Sequence, residues 1–126
     1  MTKQEIVKHW RKGARESLRM AELAIQEKSY SLALFHCQLA TEKALKAAYI
    51  SEKDSDPPLT HDLLRIAMKI NHNWSEEEQD LLDDLSGYAI EGRYDDIDWS
   101  KQKATLKNAQ YWFDKSRQFI SLLDSI

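Results

Sequence analysis

A helical hydrophobic repeat runs through the first fifty residues with a single short break, and it constrains the fold more than any other feature. Its first segment turns small and apolar side chains inward at helical spacing, at Ile6, Trp10, Ala14, Ser17, Ala21, Ala24 and Ile25. The tripeptide Ser29-Tyr30-Ser31 interrupts the repeat and offers hydroxyl caps. So short a connection predicts two long helices, over about residues 3–27 and on to about Ser51, paired as an antiparallel hairpin.

Three further helices are predicted after this hairpin. Thr60 is expected to cap the third, Ser75 and Glu78 form a capping box for the fourth, and Ser100 caps a fifth that continues to about Asp124. No segment alternates apolar and polar residues with period two, so we expect no sheet. The pattern predicts an all-α fold, an up-and-down antiparallel bundle of about five helices, four long and one short.

The length of 126 residues, with three glycines and two prolines, indicates one helical domain over residues 1–126. Cys37 is the single cysteine and lies among small residues, which favours a buried hydrophobe in a reducing compartment. The N-terminus has no apolar stretch of signal-peptide length, and no run of 18 apolar residues occurs. We therefore predict a cytoplasmic protein that does not bind membranes.

Charge is unevenly distributed along the chain, although the net charge is only −3. Residues 1–28 carry seven Lys/Arg against four Asp/Glu, whereas residues 51–98 carry four against fourteen. Five cations of the first helix fall within about 100° of arc: Lys8, Arg11, Lys12, Arg15 and Arg19. This basic surface is either a solvated face or a contact surface for phosphates or an acidic protein partner.

The second helix carries an unexpected polar pair. Glu42 and Lys46 project one turn apart from the middle of its bulky apolar face, which includes Leu39, Leu45 and Tyr49. One interpretation is an ordinary helix-stabilising pair, worth about 0.2–0.5 kcal/mol, with a snorkelling lysine. The other is the polar floor of a cleft or interface that receives a partner.

Motifs for metal or cofactor chemistry are missing from the sequence. No two of the four histidines share a helix face four residues apart, a single cysteine cannot complete a zinc site, and no Glu-x-x-His motif occurs. Glycine-rich phosphate loops are absent as well. We therefore assign no metal, no cofactor and no catalytic residue.

Two other places carry polar residues with alternative roles. His61 follows Thr60 and either caps or packs the third helix or belongs to a site. Arg93 offers a fork of donors and Tyr94 an aromatic platform, suited to phosphate and base respectively. The alternative for Arg93 is an ion pair with a nearby aspartate such as Asp95.

Three stretches in order resemble the HEPN domain family, which comprises small helical domains of prokaryotes often encoded beside minimal nucleotidyltransferases. They are Gln38-Leu39-Ala40-Thr41-Glu42-Lys43-Ala44-Leu45-Lys46-Ala47, Thr60-His61-Asp62-Leu63-Leu64 and Arg93-Tyr94-Asp95. The resemblance spans about residues 5–120. It implies an up-and-down bundle, frequent homodimers, and either metal-independent RNA cleavage or binding of a nucleotide or a nucleotidyltransferase partner.

Ribonuclease members of this family carry an arginine, four to six intervening residues and a histidine near the start of a late helix. Arg93 is the natural counterpart of that arginine here, but no histidine follows His72. Arg65 and His72 have six residues between them, yet they belong to the third helix, and we attribute this spacing to chance. The branch with Arg-Tyr followed by Pro-Asp fits better, although Asp95 stands where proline is common.

The resemblance therefore predicts a non-catalytic HEPN protein, homodimeric, that binds a nucleotide, RNA or a minimal nucleotidyltransferase in a toxin–antitoxin-like or defence-related module. The alternatives are a metal-independent ribonuclease toxin that uses Arg93 and a purely structural dimerisation or adaptor bundle. The candidate contact residues are Glu42, Lys43, Lys46, His61, Arg93, Tyr94 and Asp95.

Overall fold

The two N-terminal helices pack along their whole length because small residues line their contact. In the structure, a computed structural model that describes residues 1–89 and 97–126, six helices are formed by the described residues and no strand. They are α1 (Lys3–Gln26), α2 (Tyr30–Lys53), α3 (Leu63–Ala67), α4 (Glu76–Ser86), α5 (Ile97–Lys103) and α6 (Leu106–Ser125). The prediction of an all-α helical bundle is confirmed.

Contacts at both ends of the long helices fix their directions. Ala24, Ala33 and Ala109 form one cluster near the α1–α2 turn. Val7 and Ile50 pack together at the other end of the hairpin, so α1 and α2 are antiparallel. Because Arg11 lies beside Asp124 near the end of α6, α6 runs antiparallel to α1 and parallel to α2.

The core lies between the α1–α2 hairpin, α6 and the shorter α3 and α4. Its largest fully buried apolar side chains come from α2, α3, α4 and α6: Leu34, Leu45, Leu63, Ile66, Leu82, Leu85 and Leu123. Gly13 of α1 leaves room for a long side chain of α2, since a Cβ there would lie 3.2 Å from Cδ of Lys43. The apolar layer thus covers α2 on most sides, which leaves few places for polar groups.

The turn between α1 and α2 differs from the prediction that serine hydroxyls cap α2. Ser29 is the N-cap residue, but its side chain makes no capping hydrogen bond. The backbone closes the turn instead, since the N–H of Ser29 donates to the Ala24 carbonyl at 2.8 Å and Lys28 adopts a left-handed φ of 60°. The break predicted at this point is therefore present, with a different cause.

The third helix is shorter than predicted, and its cap is a different residue. Asp62 accepts the N–H of Arg65 at 3.2 Å and is the N-cap, whereas Thr60 accepts the N–H of Asp62 at 3.1 Å just before the helix. A carboxylate two residues further on thus takes the capping role predicted for Thr60. The indole of Trp74 donates to the Ala67 carbonyl at 3.0 Å, which satisfies the end of α3.

The fourth helix begins as predicted, while the predicted final helix is in fact two. Ser75 and Glu78 form both hydrogen bonds of a capping box at α4. Ser100 lies inside α5, and Thr105 is the cap of α6, because its hydroxyl accepts the N–H of Asn108 at 3.1 Å. The described residues therefore form six helices, close to the predicted count of about five.

Candidate functional site

The polar pair predicted on α2 is the centre of a four-residue hydrogen-bond network. Lys46 Nζ lies 3.0 Å from Oε2 of Glu42. Gln38 Nε2 donates to Oε1 of Glu42 at 3.0 Å, and Nδ1 of His61 lies 2.8 Å from the same oxygen. We call Gln38, Glu42, Lys46 and His61 the polar network; three of its members occupy successive turns of α2.

Three members of the polar network are taken almost completely out of water, and Gln38 is the most buried of them at 1% exposure. Glu42 is 4% exposed and Lys46 is 8% exposed. Burial by itself would raise the pKa of Glu42, but hydrogen bonds from Gln38, His61 and Lys46, together with the charge of Lys46, outweigh it and hold that pKa below its ordinary value. Glu42 is therefore held as a carboxylate whose oxygens already have donors.

An aromatic ring from α1 covers the lysine of this network. Nζ of Lys46 lies 5.8 Å from the ring centroid of Trp10, within cation–π distance. Trp10 itself packs beside Val7 and Ile50, where α1 and α2 meet. The amine is thus fixed between a carboxylate and an indole, which leaves it poorly placed to contact a ligand.

His61 connects the polar network to the molecular surface. It precedes α3 rather than lying in its first turn, and its side chain is 65% exposed. Its carbonyl accepts a second hydrogen bond from Nε2 of Gln38 at 3.2 Å. Both its ring and its backbone therefore tie the segment before α3 to α2.

Lys43 stands apart from the polar network, although the sequence placed it with Glu42 and Lys46. Its Nζ donates to Oγ of Ser17 on α1 at 3.2 Å, and its stem lies against Gly13. Burial, followed by the charge of Lys43, lowers the pKa of the nearby His36. The other three sequence candidates, Arg93, Tyr94 and Asp95, lie outside the described residues.

Gln38 and Trp10 complete the arrangement and were not singled out as site residues from the sequence. Gln38 stands four residues before Glu42, the same spacing as between Glu42 and Lys46. This repeated spacing indicates that the three side chains share one side of α2, so Gln38 could have been predicted. Trp10 belongs to a different helix. Its place over Lys46 depends on the register of α1 against α2, which the periodicity of either helix leaves undetermined.

The basic surface of α1 forms part of a groove. Lys3, Lys8, Arg11 and Arg15 line it together with Gln4, Val7 and Ser51, around a volume of about 410 Å³. We call this the basic groove. Its lining contains four cations and no carboxylate, in contrast to the polar network, where each charge has an opposite charge within hydrogen-bond distance.

The five predicted basic residues separate into two groups. Lys8, Arg11 and Arg15 line the basic groove, while Lys12 and Arg19 do not. Lys12 lies 4.0 Å from Glu16, and both side chains are well exposed. The predicted surface therefore divides into a groove and an ordinary solvated flank.

Other reactive side chains occupy structural positions. Burial raises the pKa of Cys37 to about 12, so its thiol stays protonated at neutral pH. The ring of His72 packs edge-on against Trp74, with 4.5 Å between the ring centroids. Within residues 1–89 and 97–126, no group of three or more His, Cys, Asp or Glu side chains is placed to hold a metal ion.

Among the helices that the described residues form, none is both long and apolar enough to cross a membrane.

Comparisons with known proteins agree on one fold. The model of the HEPN domain matches residues 7–126. A solved structure, the crystal structure of TT1696 from Thermus thermophilus, superposes with a TM-score of 0.84 at 22% sequence identity, covering 94% of this chain and 96% of that chain. A search among curated proteins finds no match. The similarity to the Thermus protein extends to the fold, and the family match covers nearly the entire chain.

Proposed function

The chain belongs to the HEPN domain family, and from this membership we propose that it is a non-catalytic binding module. In this proposal it forms a homodimer and binds a nucleotide, an RNA segment or a minimal nucleotidyltransferase, as part of a toxin–antitoxin-like or defence-related system. The observation that carries the proposal is an exposed apolar patch beside the α1–α2 turn. It is the kind of surface that protein partners cover.

The apolar patch consists of Met20 and Leu23 on α1 and Leu32 on α2. These side chains are 46%, 41% and 46% exposed. Positions 20 and 23 share one side of α1, and the contact of Ala24 with the Ala33 cluster brings the start of α2 alongside. Phe35 and Leu39 are partly buried and continue the apolar side of α2 from Leu32 at steps of three and four residues.

This patch suits a two-fold interface between copies of the chain. In a two-fold dimer the same surface occurs on both partners, so an apolar patch meets an apolar patch. Phe35 and Leu39 stand on the side of α2 that also carries Glu42 and Lys46. A partner seated on the patch would therefore border the polar network and the exposed ring of His61.

The arrangement of the polar network supports a non-catalytic role. Both oxygens of Glu42 have donors within 3.0 Å, and the ring of His61 is already engaged by one of them. A general acid or base has to exchange protons with a substrate. Glu42 instead holds neighbouring elements together, while His72, the second member of the Arg65–His72 spacing, packs against Trp74.

Sedimentation velocity tests the homodimer. The double variant Leu23→Lys/Leu32→Lys places two charges in the apolar patch and is expected to sediment as a monomer. Leu59→Lys is the matched control, because Leu59 is fully exposed in the connection between α2 and α3. Wild type and control are expected to sediment as dimers. A wild-type monomer at micromolar concentration contradicts the dimer.

Isothermal titration with nucleotides and a pull-down with the product of the neighbouring gene test the ligand. Binding in either experiment supports the module. Failure of both, with the dimer intact, supports the structural adaptor instead.

Incubation with tRNA and mRNA tests the ribonuclease alternative. The proposed module leaves both RNAs intact. Cleavage by the wild type that disappears in Arg93→Ala would replace the proposal with a metal-independent ribonuclease.

A further inference from the structure

The basic groove has the charge of an anion-binding surface. Its four cations, Lys3, Lys8, Arg11 and Arg15, face a lining without any carboxylate. Among the described residues, no ion pair involves Lys3, Lys8 or Arg15. Like charges this close repel one another unless counterions or a ligand neutralise them. The groove is therefore complementary to a polyanion.

Within the part of the chain that the structure describes, Arg11 is the one groove cation with an ion-pair partner, and that contact is loose. Its Nε lies 3.7 Å from Oδ1 of Asp124, and the two side chains are 33% and 41% exposed. Charge-assisted hydrogen bonds of this kind are about 2.7–2.9 Å long. Asp124 thus orients the side chain of Arg11, while the terminal nitrogens of the guanidinium keep donors for a ligand.

The end of α1 adds to this positive potential. Lys3 and Gln4 belong to the first turn of a helix of 24 residues. The N-terminal end of a helix carries a partial positive charge, which favours anions within the first turn. The helix dipole and the charge of Lys3 therefore have the same sign at this end of the groove, and the acidic side chain of the first turn, Glu5, is not among the residues that line it.

The cations form a line, and this shape favours a chain of phosphates over a single phosphate group. Residues 3–15 extend over about 18 Å at the 1.5 Å rise of an α-helix. Lys8, Arg11 and Arg15 recur at steps of three and four residues, on one side of α1. A linear anion can contact several of them at once.

The neutral part of the lining has no surface on which bases can stack. Gln4 and Ser51 offer hydrogen bonds, and Val7 contributes an apolar floor. Among the described residues, no aromatic ring lines the groove, although stacking on aromatic rings is how proteins hold the bases of single strands. Contacts to phosphate fix position without conveying sequence.

From these observations we propose that the basic groove binds the phosphodiester backbone of a single-stranded oligonucleotide without preference for its bases. This inference rests on the proposed binding function and names its ligand and its site. The site lies at the end of the hairpin remote from the apolar patch, because Val7 and Ile50 mark one end and Ala24 and Ala33 the other. Dimer formation and oligonucleotide binding can therefore be lost independently.

Fluorescence anisotropy with labelled oligouridylate and oligoadenylate of equal length tests the inference between about 50 and about 200 mM salt. The wild type is expected to bind both with a negative salt slope. The double variant Lys8→Ala/Arg15→Ala should bind both oligonucleotides about tenfold or more weakly at low salt. The slope of the logarithm of the binding constant against the logarithm of the salt concentration should become about 1.4 shallower, about 0.7 for each lost phosphate contact. Lys107→Ala is the control and should retain wild-type binding, because Lys107 lies at the start of α6, whereas the end of α6 with Asp124 lies beside the groove.

Several results overturn the inference. Equal weakening in Lys107→Ala shows that total charge is responsible, and a loss confined to one of the two oligonucleotides shows base recognition. Tighter binding of inorganic polyphosphate of matched length shows that the groove is not built for nucleic acid, and absence of salt-dependent binding removes the site. Lys8→Ala/Arg15→Ala is also examined by sedimentation velocity. If it sediments as a dimer, a loss of oligonucleotide binding is not caused by loss of the homodimer.

Discussion

The polar network and the basic groove are two charged regions on the same helical hairpin, and they differ in what neutralises their charge. Lys46 is 8% exposed and lies 3.0 Å from a carboxylate, whereas the groove cations Lys8 and Arg15 are exposed and line a surface without acidic groups. A buried charge has to be paired within the protein. An exposed cation can leave its neutralisation to solvent or to a ligand.

This difference assigns a structural role to the polar network and leaves a binding role to the basic groove. The family pattern contains Glu42 and Lys46, yet their polar atoms are committed to one another and to Gln38 and His61. The groove residues are ordinary surface cations in sequence terms. Their arrangement along one side of α1 distinguishes them.

The largest effect is expected when the buried pair is broken. Glu42→Leu leaves the amine of Lys46 buried without a countercharge, and we expect it to lower the free energy of unfolding by about 3–5 kcal/mol. The double variant Glu42→Leu/Lys46→Met replaces both charges with apolar side chains and should recover most of that loss. Urea unfolding followed by circular dichroism measures both. If the double variant is no more stable than the single one, the pair is not coupled.

Acid is expected to remove part of the same stabilisation. The pKa of Glu42 is lower in the folded protein than its ordinary value of 4.5, so its contribution is complete above pH 4.5 and is lost as the pH falls through the folded pKa. Protonation of His36 also destabilises the folded protein, but at a higher pH. Because its pKa is lowered in the folded state, the free energy of unfolding starts to fall as the pH drops below about 6.5, the ordinary pKa of histidine.

Urea unfolding on both sides of pH 4.5 tests the acid prediction. The free energy of unfolding of the wild type should fall more steeply below this pH than that of Glu42→Gln, which cannot titrate at this position. Parallel curves for the two proteins would mean that Glu42 contributes nothing to acid sensitivity.

Removing the exposed member of the polar network should cost less. His61→Ala deletes one hydrogen bond to Glu42. We expect a loss of about 1 kcal/mol, less than the roughly 1.5–3 kcal/mol of a bond to a charged group, because the ring is 65% exposed. Thermal unfolding measures it. His72→Ala is an unsuitable control since its ring packs on Trp74, whereas His9→Ala removes an exposed imidazole and should be neutral.

The sequence predicted this molecule best where the signals are local. The start of α4 follows from Ser75 and Glu78 alone, and the pairing of Glu42 with Lys46 follows from their spacing of four. The prediction was wrong where neighbouring residues compete to cap a helix. Asp62 rather than Thr60 is the N-cap of α3, and Thr105 caps a separate helix within the predicted last one. Both are single hydrogen bonds that a hydrophobic period cannot resolve.

Side-chain neighbours from other elements were beyond prediction for a different reason. Lys43 and Lys46 are separated by only about 60° around α2, yet one contacts Ser17 and the other Glu42 and Trp10. The helical period gives the direction of each side chain and not which neighbour lies there. The register of α1 against α2 decides that, and it depends on the packing of small residues along the hairpin.

The smallest expected effect has the opposite sign and sharpens the contrast most. Arg15 stands four residues from both Arg11 and Arg19, and each such like-charge pair destabilises a helix by about 0.2–0.5 kcal/mol. Arg15→Ala should therefore raise the free energy of unfolding by a few tenths of a kcal/mol, with the better helix propensity of alanine adding slightly. Urea unfolding at low and high salt measures the change, which should shrink as salt screens the repulsion. If Arg15→Ala is more stable than the wild type, the arginine is retained for something other than folding. If Arg15→Ala is less stable, Arg15 has a structural role like the charges of the polar network.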